Sequence, residues 1–128
     1  DPTGTPINKK ISAANVFNYI PTFIATNSTE SLTNSSSAAS VSTAVSLVDS
    51  SGGATGLSLA AGVTGQIKTI ICTTAGNNIT ITPAATVGSG TTIVLDAAGE
   101  SVTLMYTGSA WAAIATSSFA SSISTVIQ

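Results

Sequence analysis

Gln66-Ile67-Lys68-Thr69-Ile70-Ile71, Asn78-Ile79-Thr80-Ile81-Thr82-Pro83, Thr91-Thr92-Ile93-Val94-Leu95-Asp96, Glu100-Ser101-Val102-Thr103-Leu104-Met105-Tyr106 and Ser109-Ala110-Trp111-Ala112-Ala113-Ile114 follow one another in the run from Leu57 to Ala115. Each block is short, rich in β-branched residues and closed by Gly, Asn or Pro. β-branched side chains suit a pleated, half-buried surface, and the closing residues supply turns. The pattern predicts consecutive antiparallel strands joined by tight turns. Strand starts recur irregularly, at about nine to fourteen residues, which suits a small sandwich or barrel rather than a fixed-period solenoid. The expected fold class is therefore all-β: a small antiparallel sandwich or barrel-like module.

Working outward, Leu57 and Leu59 mark a short strand and Gly62 to Gly65 a turn. Val41, Thr43, Val45 and Leu47 alternate with Ser42, Ala44 and Ser46, a period-two strand closed by Asp49-Ser50-Ser51-Gly52-Gly53. The β module spans 41–116. Before it, 26–40 is Ser/Thr/Asn-rich and reads as an exposed linker. Residues 1–25 form an N-terminal arm and short helix. Ser12 is its N-cap, Ile11 and Val16 have the spacing of a hydrophobic staple, Val16, Phe17 and Ile20 share a face, and Pro21 ends it. So short a helix must dock on something. In the C-terminal tail, 117–128, Phe119, Ile123 and Ile127 fit a helical face, while Ile123, Thr125 and Ile127 fit a strand; β-branching favours the strand.

Composition limits the chemistry. The 128 residues hold no His and no Arg, and only 6% are charged, against roughly a quarter in ordinary soluble domains. Ser, Thr and Asn take the place of charge on the surface, as suits secreted and virion proteins. The formal net charge of −2 provides no basic footprint for nucleic acid, and Lys9-Lys10 is the only paired cation. The mean hydropathy is positive (+0.47) although aromatics make up 5%, so the apolar content is small and aliphatic. Part of it is expected to face another subunit, as in obligate interfaces. No apolar run reaches the ~18–20 residues of a membrane-spanning helix. Asp1-Pro2-Thr3-Gly4 is not a signal peptide and lacks an initiator Met, as expected of a processed product or a piece of a longer chain.

Without His, neither a Ser-His-Asp nor a Cys-His arrangement can form. Cys72 is alone and lies in an Ile-Ile-Cys run, where it reads as a buried small hydrophobe; a reactive thiolate needs a cationic neighbour. Asp96 and Glu100 flank Ala97-Ala98-Gly99. Two carboxylates across a turn could contribute to a Ca²⁺ site, but Ca²⁺ takes about six to eight oxygens. The preferred reading has Asp96 capping the turn and Glu100 hydrating the strand entry. Gly88-Ser89-Gly90 lacks the Lys of a phosphate loop and is a turn. Tyr106 and Trp111 face each other across a hairpin; they read first as core and second as a glycan-stacking pair. Asn27-Ser28-Thr29, Asn34-Ser35-Ser36 and Asn78-Ile79-Thr80 match the glycosylation triplet, which matters only in a eukaryotic host. No catalytic residue, metal site or cofactor is expected.

Gly65-Gln66-Ile67-Lys68-Thr69-Ile70, Asn78-Ile79-Thr80-Ile81-Thr82-Pro83, Gly99-Glu100-Ser101-Val102-Thr103-Leu104-Met105-Tyr106 and Trp111 together resemble a module of tailed-bacteriophage structural proteins, of cyanophage type especially. Asn8-Lys9-Lys10-Ile11-Ser12-Ala13-Ala14-Asn15-Val16-Phe17 is similar to the segment preceding it. The resemblance implies a virion fibre or capsid-decoration protein, commonly trimeric, and carries over no catalytic residue. The expectation is a non-enzymatic homotrimer on the virion surface that binds capsid or other virion proteins and neither nucleic acid nor membrane. Lys9, Lys10, Ile11, Val16, Phe17 and Ile20 would form its docking segment. The alternatives are a subunit of a cellular extracellular filament or surface layer, in which a terminal segment augments a neighbour's sheet, and a carbohydrate-binding adhesin using Tyr106 and Trp111.

Overall fold

Two apolar faces of period two meet to make the core. Ile70 and Cys72 with Val102 and Leu104 line one; Leu57, Leu59, Ile79, Ile81 and Leu95 line the other. The computed structural model describes residues 28–119. These carry β1 Thr29–Thr33, β2 Ala38–Ala39, β3 Val45–Asp49, β4 Thr55–Leu59, β5 Ile67–Thr74, β6 Ile79–Pro83, β7 Ile93–Leu95, β8 Ser101–Tyr106 and β9 Trp111–Ser117. They form a five-stranded sheet, β1-β3-β5-β8-β9, and a four-stranded sheet, β2-β4-β6-β7. The helix expected at Ser12–Ile20, the docking residues Lys9, Lys10, Ile11, Val16, Phe17 and Ile20, and the tail beyond Phe119 lie outside the described residues.

The all-β expectation holds, but the antiparallel one does not. β1, β3 and β5 run parallel in one sheet, and β2, β4 and β6 parallel in the other. Only β6–β7, β5–β8 and β8–β9 are antiparallel. Each short connection from β1 to β6 crosses to the opposite sheet instead of folding back beside its own strand. The chain therefore re-enters a sheet in the direction in which it left. A parallel pair needs a crossover, and here the opposite strand provides it. The first six strands are wound as a coil between two sheets, closed by an antiparallel end of β7, β8 and β9. Winding was missed because the coils are unequal: Thr29 pairs with Val45, and Val45 with Thr69.

Stacked corners hold the winding together. Ser50, buried, donates its hydroxyl to the Asn77 carbonyl at 2.6 Å, and the Asn77 side-chain amide donates to the Ser50 carbonyl at 3.0 Å. Gly76 lies so close that a Cβ there would stand 3.1 Å from the Ser51 Cα, and backbone cannot yield as a flexible side chain does.

Two further expectations are corrected. Within the stretch read as a linker, 29–33 and 38–39 are strands; their Ser/Thr content suits an edge, and Leu32 and Ala39 reach the core. In β3 the buried residues are Ser46 and Val48, not Val45 and Leu47, which are only half-buried. Burial of the polar Ser46 instead of two aliphatics has a cause in the neighbouring ion pair.

Candidate functional site

Lys68 follows the period-two rule into the interior, two residues before Ile70 and four before Cys72, and is fully buried. A buried ammonium is costly unless it is paired and hydrogen-bonded. Its three N–H donors meet the Thr43 hydroxyl at 2.8 Å, the Thr43 carbonyl at 3.0 Å and Glu30 Oε2 at 3.5 Å. Glu30, four-fifths buried at its side chain, also accepts from the Ser40 backbone N–H at 2.7 Å and from the Ser46 hydroxyl. Ser46 is thus buried because it serves the carboxylate. Burial pushes the Lys68 ammonium below its usual range, with Glu30 pulling the other way. Burial alone would raise the Glu30 carboxyl, but Ser46, the Ser40 N–H and Lys68 together outweigh it and hold the group below 4.5. The cluster joins β1, the 40–43 loop, β3 and β5. The sequence reading missed it, although the alternation Lys68-Ile70-Cys72 marks the lysine as inward.

Trp111 is the other anchor. Its ring is buried and meets Tyr106 edge-on, with centroids 5.1 Å apart at 70°, and Tyr106 pairs with Trp111 in the β8–β9 hairpin as expected. The indole N–H donates to the Ala60 carbonyl at 2.8 Å. Gln66 holds the 62–66 turn over this ring. Its Oε1 accepts from the Val63 N–H at 3.0 Å, and its Nε2 donates to the Val41 carbonyl at 2.6 Å. The Gly65 N–H reaches the Tyr106 carbonyl at 2.7 Å. Both aromatic residues are core, as first read, and neither presents a free face on which a sugar could stack.

Glu100, not Asp96, caps the 96–99 turn. Its Oε1 accepts from the Asp96 and Ala97 backbone N–H groups at 2.6 and 3.0 Å, and these bonds hold its carboxyl below the usual range. Among the described residues no group of three or more His, Cys, Asp and Glu is placed to hold a metal. Cys72 is buried as expected. Burial pushes its thiol up, and the carboxylates of Glu100, Asp49 and Asp96 add to the effect.

Among the described residues each sheet ends in two edge strands, β1 and β9 in one and β2 and β7 in the other, and a groove lies on the β7–β9 side. At one end the sheets are tied: the Val87 N–H donates to the Trp111 carbonyl, and the Trp111 N–H to the Ala85 carbonyl. Beyond that tie they separate. A groove with Ile93, Leu104, Trp111 and Ala113 in its walls continues into one between Ile93–Leu95 and Thr116–Ser118. From Ala113 onward β9 is exposed on both faces. Val94 is 50% exposed, Ile114 54% and Phe119 95%. Ser101 to Gln128 contains no charged residue. Nothing on β9 matches the lysines, prolines or inward charges by which edge strands avoid pairing with other chains. Comparison with protein-family models, curated proteins and solved structures gives no match.

Proposed function

We propose that this chain is a non-enzymatic structural protein of a tailed-phage virion, a capsid-decoration or fibre component that assembles as a homotrimer. The observation that carries this reading is the use made of the residues behind the phage resemblance. Gly65-Gln66 clamps Trp111, Lys68 anchors the buried ion pair, Asn78–Pro83 contains β6, and Gly99-Glu100 turns the chain into β8. They are framework residues, and a framework with an open side suits assembly. In this reading the arm with Lys9, Lys10, Ile11, Val16, Phe17 and Ile20 docks on capsid or other virion proteins.

The filament alternative draws on the same open edge, because an edge that recruits a neighbour can close a ring or run on into a polymer. Immunogold labelling of particles and cells from the culture that produces the protein separates the two. Label at regular positions on phage heads or fibres is expected. Label confined to cell-surface filaments, with phage particles bare, overturns the virion assignment.

A further inference from the structure

We infer that the outer face of the five-stranded sheet is the surface by which copies of this chain pack against one another. The inference deepens the assembly reading above and rests on the self-association part of it. Period-two alternation turns Lys68, Ile70, Cys72, Val102 and Leu104 inward, so the residues between them point out. On that outer side β3, β5 and β8 carry Val45, Leu47, Ile67, Ile71 and Met105. Ile67 is 45% exposed and the others are half-buried. The register sets them side by side, Leu47 against Ile71 and Ile67 against Met105. The four-stranded sheet differs in kind: the outward residues of β4 and β6 are Gly56, Ser58, Thr80 and Thr82. The five-stranded sheet is thus aliphatic on both faces, the pattern of a sheet that is covered on both.

The polar groups of this face decide what covers it. The Thr69 and Thr103 hydroxyls bond to each other at 3.1 Å, and those of Ser101 and Ser117 at 3.0 Å. Each of these oxygens keeps a partner when water leaves, so covering them does not orphan them. Thr29 and Ser31 lie on the edge strand β1, and the charged residue of this face, Asp49, stands at the end of β3, where it accepts from the Ser51 N–H at 2.8 Å. These polar groups form a rim around the aliphatic centre. A partner that brought charges or free polar groups to that centre would bury them unpaired. The same face of another copy brings neither. The face is also large enough. Five strands spaced at about 4.8 Å and about 20 Å long give two opposed faces of roughly 1,000 Å² together, before side-chain relief is added, and a specific interface needs about that area.

The test is made on the full chain, by light scattering and by the rate at which dilute hydrogen peroxide oxidises Met105, the sole methionine. The wild type is expected to be oligomeric and L47K/I71K monomeric, with Met105 oxidised at least tenfold faster in the variant. T80K/T82K, on the outer face of the other sheet, is expected to keep the oligomer and the protected Met105. Where L47K/I71K fails to fold, the wild type answers alone: on dilution to the monomer, Met105 is expected to gain the same tenfold in rate. Equal protection in oligomer and dilute monomer means that the chain's own segments cover the face, and overturns the inference. An L47K/I71K protein that keeps the oligomer overturns it too and leaves self-assembly standing. A full chain that is monomeric at every concentration overturns both.

Discussion

Lys68 is the residue on which the electrostatics of the body turn, being the sole cation among residues 28–119. Its ammonium has no route to water, so removing one partner leaves the other exposed to a low-dielectric interior. Breaking a buried pair costs about 3–5 kcal/mol. K68A is expected near the lower end of that range in urea denaturation, because Glu30 keeps some solvent contact. K68M with E30Q is expected to recover much of the loss, since an apolar isostere needs no counter-charge. The pH dependence has a definite sign. Glu30 sits below 4.5 when folded, so its contribution is complete above about pH 4.5 and drains away as pH falls through the folded value. Lys68 sits below 10.5, so folding disfavours its charged form, and stability on its account rises as pH climbs towards 10.5. The wild-type minus E30Q difference in melting temperature should therefore shrink on acidification, and the wild-type minus K68M difference should shift in favour of wild type on going alkaline. A flat difference in either case contradicts the assigned shift. Cys72, buried with its thiol pushed up, is expected to resist a thiol reagent under native conditions and to react once the protein is unfolded.

At the scale of the element, the 60–66 turn and β9 act as one clamp. A Cβ on Gly62 would lie 2.9 Å from Trp111 Cζ2 and 2.6 Å from Gln66 Oε1. The glutamine could swing away, but the ring is packed on Tyr106 and held through its N–H. Overpacking of this kind costs about 1–3 kcal/mol, so G62A is expected to destabilise by that amount and to change tryptophan fluorescence in the folded state. An unchanged melt would mean that the turn is not seated on the ring. The strands themselves were legible in the sequence, since β5, β6, β8 and β9 begin within a residue or so of where the β-branched blocks place them. The pairing was not. Ser50-Ser51-Gly52-Gly53 reads equally well as a hairpin turn and as a corner between sheets, because local turn chemistry does not record which strand comes to lie alongside. Nor did the low apolar content of Thr29–Thr33 announce β1, whose inward positions carry the half-buried Glu30 and Leu32. Glu30 becomes legible as core only when its distant partner Lys68 is known.

For the whole molecule, the described core runs from Ala39 to Trp111 between two sheets whose terminal strands are β1 and β9 in one and β2 and β7 in the other. That shape bears on the role of the N-terminal arm. If residues 1–20 were a lid on this body, their removal would expose core and lower stability. If they are a docking arm, as proposed, the body does not need them. Phe17 and Ile20 would each contribute roughly 1.5–3 kcal/mol if fully buried, so a lid role would appear as a loss of several kcal/mol. The deletion of residues 1–20 is expected to leave a soluble protein whose urea midpoint lies close to that of the full chain. It is also expected to leave any self-association of the body intact, while binding to isolated capsids or fibres is lost. A truncated chain that unfolds or aggregates, beside a stable full-length protein, places the arm in the body's own core and removes the docking role. A truncated chain that still joins the particle assigns attachment to another surface.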